Sequence, residues 1–382
     1  MWIEINDEFC DEIKSDINPS TKNFCDLQDV ITNLLNMMKK CKHIVFISRK
    51  MLEIIKNNEN FSSNIRKFAK WILDRFIYIY SGRNYVNHKI IVAKRNDILK
   101  MNNCFLVPPS FFSDEKSTKL VVENETDCDV YKGIYKHVKK HKTTNSYYDI
   151  NFENDSCHGS NVASKICELA NQDGIGLLYL DSDQDYEGSA RGSTYKAASE
   201  EIKKHNNKIL ELNVLNVREK ENLFSPKMYI PFCDSSKINF LTKLDNYNDK
   251  NIYYYFDIKD GIKYEKFNDV EWRNHYSAFI SKFVTDGVIK TRKRMKDDDI
   301  CSQSIGDKVC DKVCHLLLTV DDKDFIYKNV KKEYNRNVDD ILNMRKNIGR
   351  YLPQDLYCEW EIIFEVLSDW GICISDNYRY RL

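Results

Sequence analysis

The sequence predicts an α/β protein: a central, mainly parallel sheet, preceded by a small α/β domain and followed by a mostly helical one. Two observations carry this reading. Between about residues 117 and 232, short apolar runs alternate with segments of helical period, the pattern of strand–helix–strand units whose parallel sheet carries helices on both faces. After about 235, helical periods dominate. The parts are expected at 1–116, 117–232 and 233–382.

In the first part, Leu27, Val30, Ile31, Leu34, Leu35 and Met38 mark an amphipathic helix. HIVFIS (43–48) reads as a buried strand, Ile65, Phe68, Trp71, Ile72 and Phe76 as a second helix, and HKIIVAK (88–94) as another strand. Met101 to Asp114, with Pro108 and Pro109, reads as a connection. In the second part, KLVVEN (119–124) is a strand, Asp127 to Lys142 a helix, YYDINF (147–152) a strand and SNVASKICELA (160–170) a helix. GIGLLYLDSD (174–183) is the clearest buried strand, followed by a helix over Tyr195 to Asn206 and the strand KILELNVL (208–215). In the third part, Ile341, Leu342 and Met344 mark one helix, and Trp360, Ile363, Phe364 and Leu367 another.

Composition narrows the function classes. The 382 residues are 42% hydrophobic, enough for a sizeable core, and Lys+Arg 58 against Asp+Glu 58 exclude a uniformly basic coat. No window approaches ~18 uninterrupted apolar residues, so no membrane partner is expected. The acidic start, MWIEINDEFCDEIKSD, is unlike a signal peptide, and 13 Cys lack a framework spacing. A cytoplasmic location with reduced thiols is expected. No P-loop, G-x-S-x-G or H-E-x-x-H is present.

The second part carries the chemistry. KLVVEN ends near Glu123, and GLLYLDSD ends with Asp181 and Asp183. Open parallel sheets bind ligands at the carboxyl ends of their strands. Side chains at i and i+2 share a strand face, so Asp181 and Asp183 converge if the strand persists through both. Neighbouring strands lie ~4.8 Å apart, so Glu123 reaches the same point if its strand is adjacent. Carboxylates held close repel unless a cation neutralises them, and oxygen ligands suit Mg²⁺ or Mn²⁺ rather than Zn²⁺. The alternative is a set of strand-end acids facing solvent.

VVENETDCDVYKGIY resembles the opening motif of Toprim domains, and LLYLDSDQD resembles their Asp-x-Asp strand end. CHGSNVASKI is similar to the Gly-rich turn and helix between them, and NVREKENLFSP to the Arg-Glu-x-Glu-Asn stretch of overcoming-lysogenization-defect nucleases and defence-associated Toprim proteins. The resemblance covers roughly 117–230. Two positions depart from it: Asn124 and His158 stand where such domains often have Gly. It implies Glu123 as metal ligand or general acid/base, Asp181 and Asp183 as principal Mg²⁺ (or Mn²⁺) ligands, Asp127 as a support of the metal, and Glu221 as ligand of a second metal or orienting group. Arg218 would pair with the carboxylates or a phosphate, and Lys196 and Arg191 would contact the scissile phosphate unless they are merely solvated. The implied activity is metal-dependent cleavage of nucleic acid, RNA such as tRNA or DNA, as an antiphage effector controlled by a separate ATPase. Assembly as a homo-oligomer stays open. The alternatives are a strand-rejoining or nucleotidyl-transfer enzyme and a degenerate Toprim scaffold acting as a binding subunit.

Other signals compete. KGIYKHVKKHK (132–142) and VIKTRKRMK (288–296) could bind a phosphate backbone, or be solvated faces. YYYF (253–256) could stack bases, with an ordinary strand as the alternative. Cys310, Cys314 and His315 invite a zinc reading but lack a matching second half.

Overall fold

The structure, a computed structural model, describes residues 1–14, 22–142, 146–247, 251–290, 295–319, 328 and 338–380. The chain begins in a sheet of five strands: β1 (Trp2–Ile5), β2 (Ile44–Phe46), β3 (Lys89–Val92), β4 (Leu99–Met101) and β5 (Cys104–Val107), in the order β2-β1-β3-β5-β4. All pairs are parallel except β4 with β5. The first sheet therefore reaches into the segment expected to be a connection. The run Cys104–Val107 is short, and Phe105 and Val107 are its buried face. The helix Lys22–Lys39 buries the expected stripe, Val30, Ile31, Leu34, Leu35 and Met38. Ser48 and Ser62 cap the helices Arg49–Asn57 and Ser63–Asp74 by accepting hydrogen bonds from the N–H groups of Met51 and Ile65.

The second sheet is wholly parallel. It holds β6 (Thr118–Val122), β8 (Glu153–Ser156), β9 (Ile175–Leu180) and β10 (Ile209–Val214), in the order β10-β9-β6-β8. Its middle strands are buried on both faces, which is why they read as continuous apolar runs. Leu120, Val122, Leu177 and Tyr179 face the main core, while Val121, Leu178, Leu180 and Leu210 face a second core. The helix Glu125–Lys142 covers the first face, and the helices Val162–Asn171 and Ser193–Lys204 cover the second.

Two expected strands are placed differently. YYDINF supplies β7 (Tyr148–Ile150), which pairs antiparallel with β11 (Ile372–Ile374) near the end of the chain and lies outside the parallel sheet. The edge beside β6 is β8 instead, whose sequence ENDS is polar because it has one exposed flank. YYYF lies in the short helix Asn251–Tyr255 rather than a strand, with Tyr253, Tyr254 and Phe256 buried and so not free to stack bases.

The last part is mostly helical, as expected, and is not separate from the rest. The helix Gln354–Gly371 lies on Glu125–Lys142, with Tyr135 and Phe364 stacked at 5.1 Å and the indole of Trp360 donating to the Leu223 carbonyl at 2.9 Å. One hydrophobic core runs from Met1 to Ile374 through all three parts. The basic run 132–142 is partly consumed by this packing. Lys132 donates to the Phe152 carbonyl, Lys139 pairs with Asp149, and Lys142 pairs with Glu361 and Glu365. In the second run, residues 291–294 lie outside the described residues. Of the zinc candidates, Cys310 is buried, His315 is exposed, and the side chain of Cys314 lies outside the described residues. Among the described residues, no helix is long and apolar enough to cross a membrane.

Candidate functional site

The site is set by topology. From β6 the chain runs through Glu125–Lys142 to one side of the sheet, and from β9 it runs through Ser193–Lys204 to the other. The outgoing connections of these two neighbours diverge to opposite faces, which opens a crevice at their carboxyl ends, the usual ligand position in such sheets. Val121 pairs with Leu178, so continuing the register sets Glu123 opposite Leu180, one residue before Asp181.

Glu123 and Asp181 therefore leave adjacent strands at the same rim. Burial, then the Asp183 and Asp127 carboxylates, push Glu123 up to about 7. Asp181 is held well above the usual carboxylate range by burial, then by Glu221 and Glu123, although part of its residue surface still meets solvent. Its Oδ1 accepts from the Lys220 N–H at 3.2 Å. Burial pushes Glu221 up to about 7 against the pull of Lys220 and Lys259.

Asp183 reaches the cluster by a different route from the expected strand face. The strand ends at Leu180, and Asp183 has φ 51°, a left-handed conformation that Asp tolerates better than most residues. The carbonyl of Arg218 accepts from the N–H groups of both Ser182 and Asp183, at 3.0 and 2.9 Å. The chain then turns back, and Gly192 packs directly on the Asp183 side chain: a Cβ there would lie 2.2 Å from Oδ2. His158 (φ 47°) and Gly159 (φ 58°) make a second left-handed turn, beside Glu123, whose carbonyl accepts from the His158 N–H at 3.1 Å. Asn124 is not among the positive-φ residues, so the missing Gly costs nothing there.

The REKEN stretch mixes structural and charged roles. Glu219 and Asn222 form a buried capping box, and the Asn222 amide donates to the Tyr253 and Phe256 carbonyls at 2.8 and 2.9 Å. Arg218 does not reach Asp181 or Asp183. It pairs instead with Asp185 (2.6 Å), Glu219 (3.4 Å) and Asp257 (3.5 Å), because the 183–192 loop brings Asp185 beneath it. These residues edge a cleft of about 330 Å³ that also holds Lys263, Lys266 and Trp272. Asp127 is likewise committed: its carboxylate takes the Lys220 ammonium and the Asn124 N–H (3.0 Å), so it supports the rim without facing a ligand. Arg191 stacks over Tyr195 at 4.4 Å, and Lys196 is exposed on the first turn of its helix, so neither is drawn into the acid cluster.

The donor set suits a hard divalent cation. Among the described residues, Glu123 Oε1 and Glu221 Oε2 are buried without a hydrogen-bond partner, a cost of about 1–3 kcal/mol each that a coordinated cation would relieve. The acids are not a preformed cage. Among the described residues, the group of three whose ligand atoms all lie within 4.8 Å of one another is Cys167, Glu201 and His205, elsewhere in the fold. A small cation at the rim would thus take one or two carboxylates directly and the rest through water, the usual manner for Mg²⁺. Sequence reasoning missed Lys259, whose ammonium lies 3.3 Å from Glu219 and is held charged, against burial, by Glu221, Glu219 and Asp181.

Compared with known protein families, with curated proteins and with solved structures, the chain matches none.

Proposed function

We propose that the β6–β9 rim is the active site of a divalent-cation-dependent nuclease acting on RNA or DNA. The observation that carries this reading is Glu123: a half-buried carboxyl at the sheet's crevice, raised to about 7 among neighbouring acids and with one oxygen unpartnered. A group with that pKa exchanges protons near neutral pH and suits general acid–base work on water. Asp181 and Asp183 would hold Mg²⁺ or Mn²⁺, with Glu221 behind them. When bound, the cation lowers the pKa of a water and neutralises charge on the phosphoryl oxygens. Exposed Lys196 and half-buried Arg191 would offer phosphate contacts that carry no sequence preference.

Lys220 and Lys259 already neutralise part of the acid charge, and that observation favours a second reading: a Toprim-like scaffold that binds nucleic acid or a partner without cleaving it. Incubating the purified chain with RNA and with DNA, with Mg²⁺, Mn²⁺ or chelator, separates the two. Metal-dependent cleavage that Glu123→Gln and Asp183→Asn abolish supports the nuclease. Binding without cleavage supports the scaffold, and a covalent protein–DNA adduct would indicate strand rejoining. An antiphage role under a separate ATPase, in the cytoplasm, belongs to the same proposal; toxicity on expression that Asp181→Ala removes is its expected signature.

A further inference from the structure

Cys167 stands on the helix Val162–Asn171, and Glu201 and His205 stand one turn apart at the end of Ser193–Lys204. The two helices pack together over the second core, through Ile166, Ala170 and Ala198. Their side chains bring three different ligand types to one point. Cys167 Sγ lies 3.1 Å from Glu201 Oε1 and 3.7 Å from His205 Nε2, and the last two atoms are 3.2 Å apart. A tetrahedral Zn²⁺ with bonds of ~2.0–2.3 Å sets its ligands ~3.3–3.8 Å apart, close to these separations. The other carboxylate oxygen of Glu201 is held by Lys204 at 2.6 Å, which leaves Oε1 as the one aimed at the thiol and imidazole.

We propose that Cys167, Glu201 and His205 form a zinc site that clamps these two helices, with the fourth position open to solvent. Thiolate plus imidazole selects Zn²⁺ over Mg²⁺. On binding, the Cys167 thiol proton passes to solvent and His205 keeps its single proton on Nδ1, freeing Nε2 for the metal. The site is separate from the acid rim. Ser193–Lys204 begins beside Gly192, which touches Asp183, so its far end lies about 18 Å away, the length of a twelve-residue helix. The proposal therefore does not depend on the nuclease reading.

Cobalt titration of the full chain, stripped with chelator, tests it. The expected result is one equivalent of Co²⁺ with a thiolate-to-cobalt charge-transfer band and tetrahedral d–d bands, displaced by Zn²⁺. Cys167→Ser and His205→Gln should each lose the bands while circular dichroism stays native, and Glu123→Gln should keep them. Because either variant could disturb packing, loss of the bands is read only in a variant whose circular dichroism stays native. No saturable band in the wild type would overturn the proposal, as would bands that persist in a folded Cys167→Ser or His205→Gln variant.

Discussion

Lys220 reaches across the rim of the parallel sheet to form a buried ion pair with Asp127, on the first turn of the helix that follows β6. Their side chains are only 9% and 5% exposed, so neither charge has water to fall back on. Lys220→Met leaves Asp127 buried and unpaired and is expected to lower unfolding stability by about 3 kcal/mol. The double variant Asp127→Leu/Lys220→Met should recover most of that loss, because it removes both charges. Urea denaturation of the four proteins measures the coupling; additive losses would contradict the pair's role.

Glu123 links stability to pH in a stated direction. Its folded value, about 7, lies above its ordinary 4.5, so the native state holds more protons than the unfolded state between those values. The Glu123 contribution to the stability of the metal-free protein should therefore fall as pH rises from 4.5 to 7; Glu221, also about 7, acts in the same sense, while the His43 and His137 imidazoles and the Met1 ammonium, all lowered by burial, act in the opposite one. Glu123→Gln removes its share. At pH 7.5 it should stabilise the metal-free chain by about 1–2 kcal/mol, less than the full shift would give because the side chain is partly exposed. Thermal melts of wild type and Glu123→Gln across pH read the difference between them; a difference that does not grow over this window would refute it.

Gly192 has an ordinary backbone conformation (φ −61°, ψ 171°), so its missing side chain matters only for space. Gly192→Ala would place a methyl 2.2 Å from Asp183 Oδ2 and 2.6 Å from its Cβ. The Asp183 carboxylate must move, and its Cβ, fixed to a left-handed backbone, must shift with the loop, so cation affinity at the rim should drop at least tenfold and the melting midpoint should fall as well. Asp183→Gly provides the complement. It relieves the left-handed strain while removing the carboxylate, and should melt no lower than Asp183→Ala. Calorimetric Mn²⁺ titrations and melts of these variants read both effects.

Much of the parallel sheet was legible because its middle strands are buried on both faces. GLLYLDSD and KLVVEN are apolar runs ended by acids, and they lie side by side, the condition on which Glu123 joining the aspartates depended. Of the two edges, β10 was legible as KILELNVL and β8 was not. ENDS forms β8 although nothing in its composition marks a strand, since backbone pairing to β6 alone defines it. YYDINF has good strand character, and only the distant segment Ile372–Ile374 decides that it pairs outside that sheet. The acids of the site could be named from strand ends, but their partners could not. Arg218 meets Asp185 and Asp257, and Asp127 meets Lys220, through loop geometry that spacing does not encode. Likewise, Glu201 and His205 share a helix face at i and i+4, while Cys167 joins them only through helix packing.

The central claim is that Asp181 and Asp183, beside the proton-exchanging carboxyl of Glu123, hold a divalent cation at the carboxyl ends of β6 and β9. Electron paramagnetic resonance of Mn²⁺ tests it most directly, since the free ion's signal falls as the ion is bound. Wild-type protein should deplete the signal saturably, Mg²⁺ should restore it, and Asp181→Asn and Asp183→Asn should each weaken binding at least tenfold. Wild-type protein that leaves the signal untouched, or variants that deplete it equally well, would contradict the account.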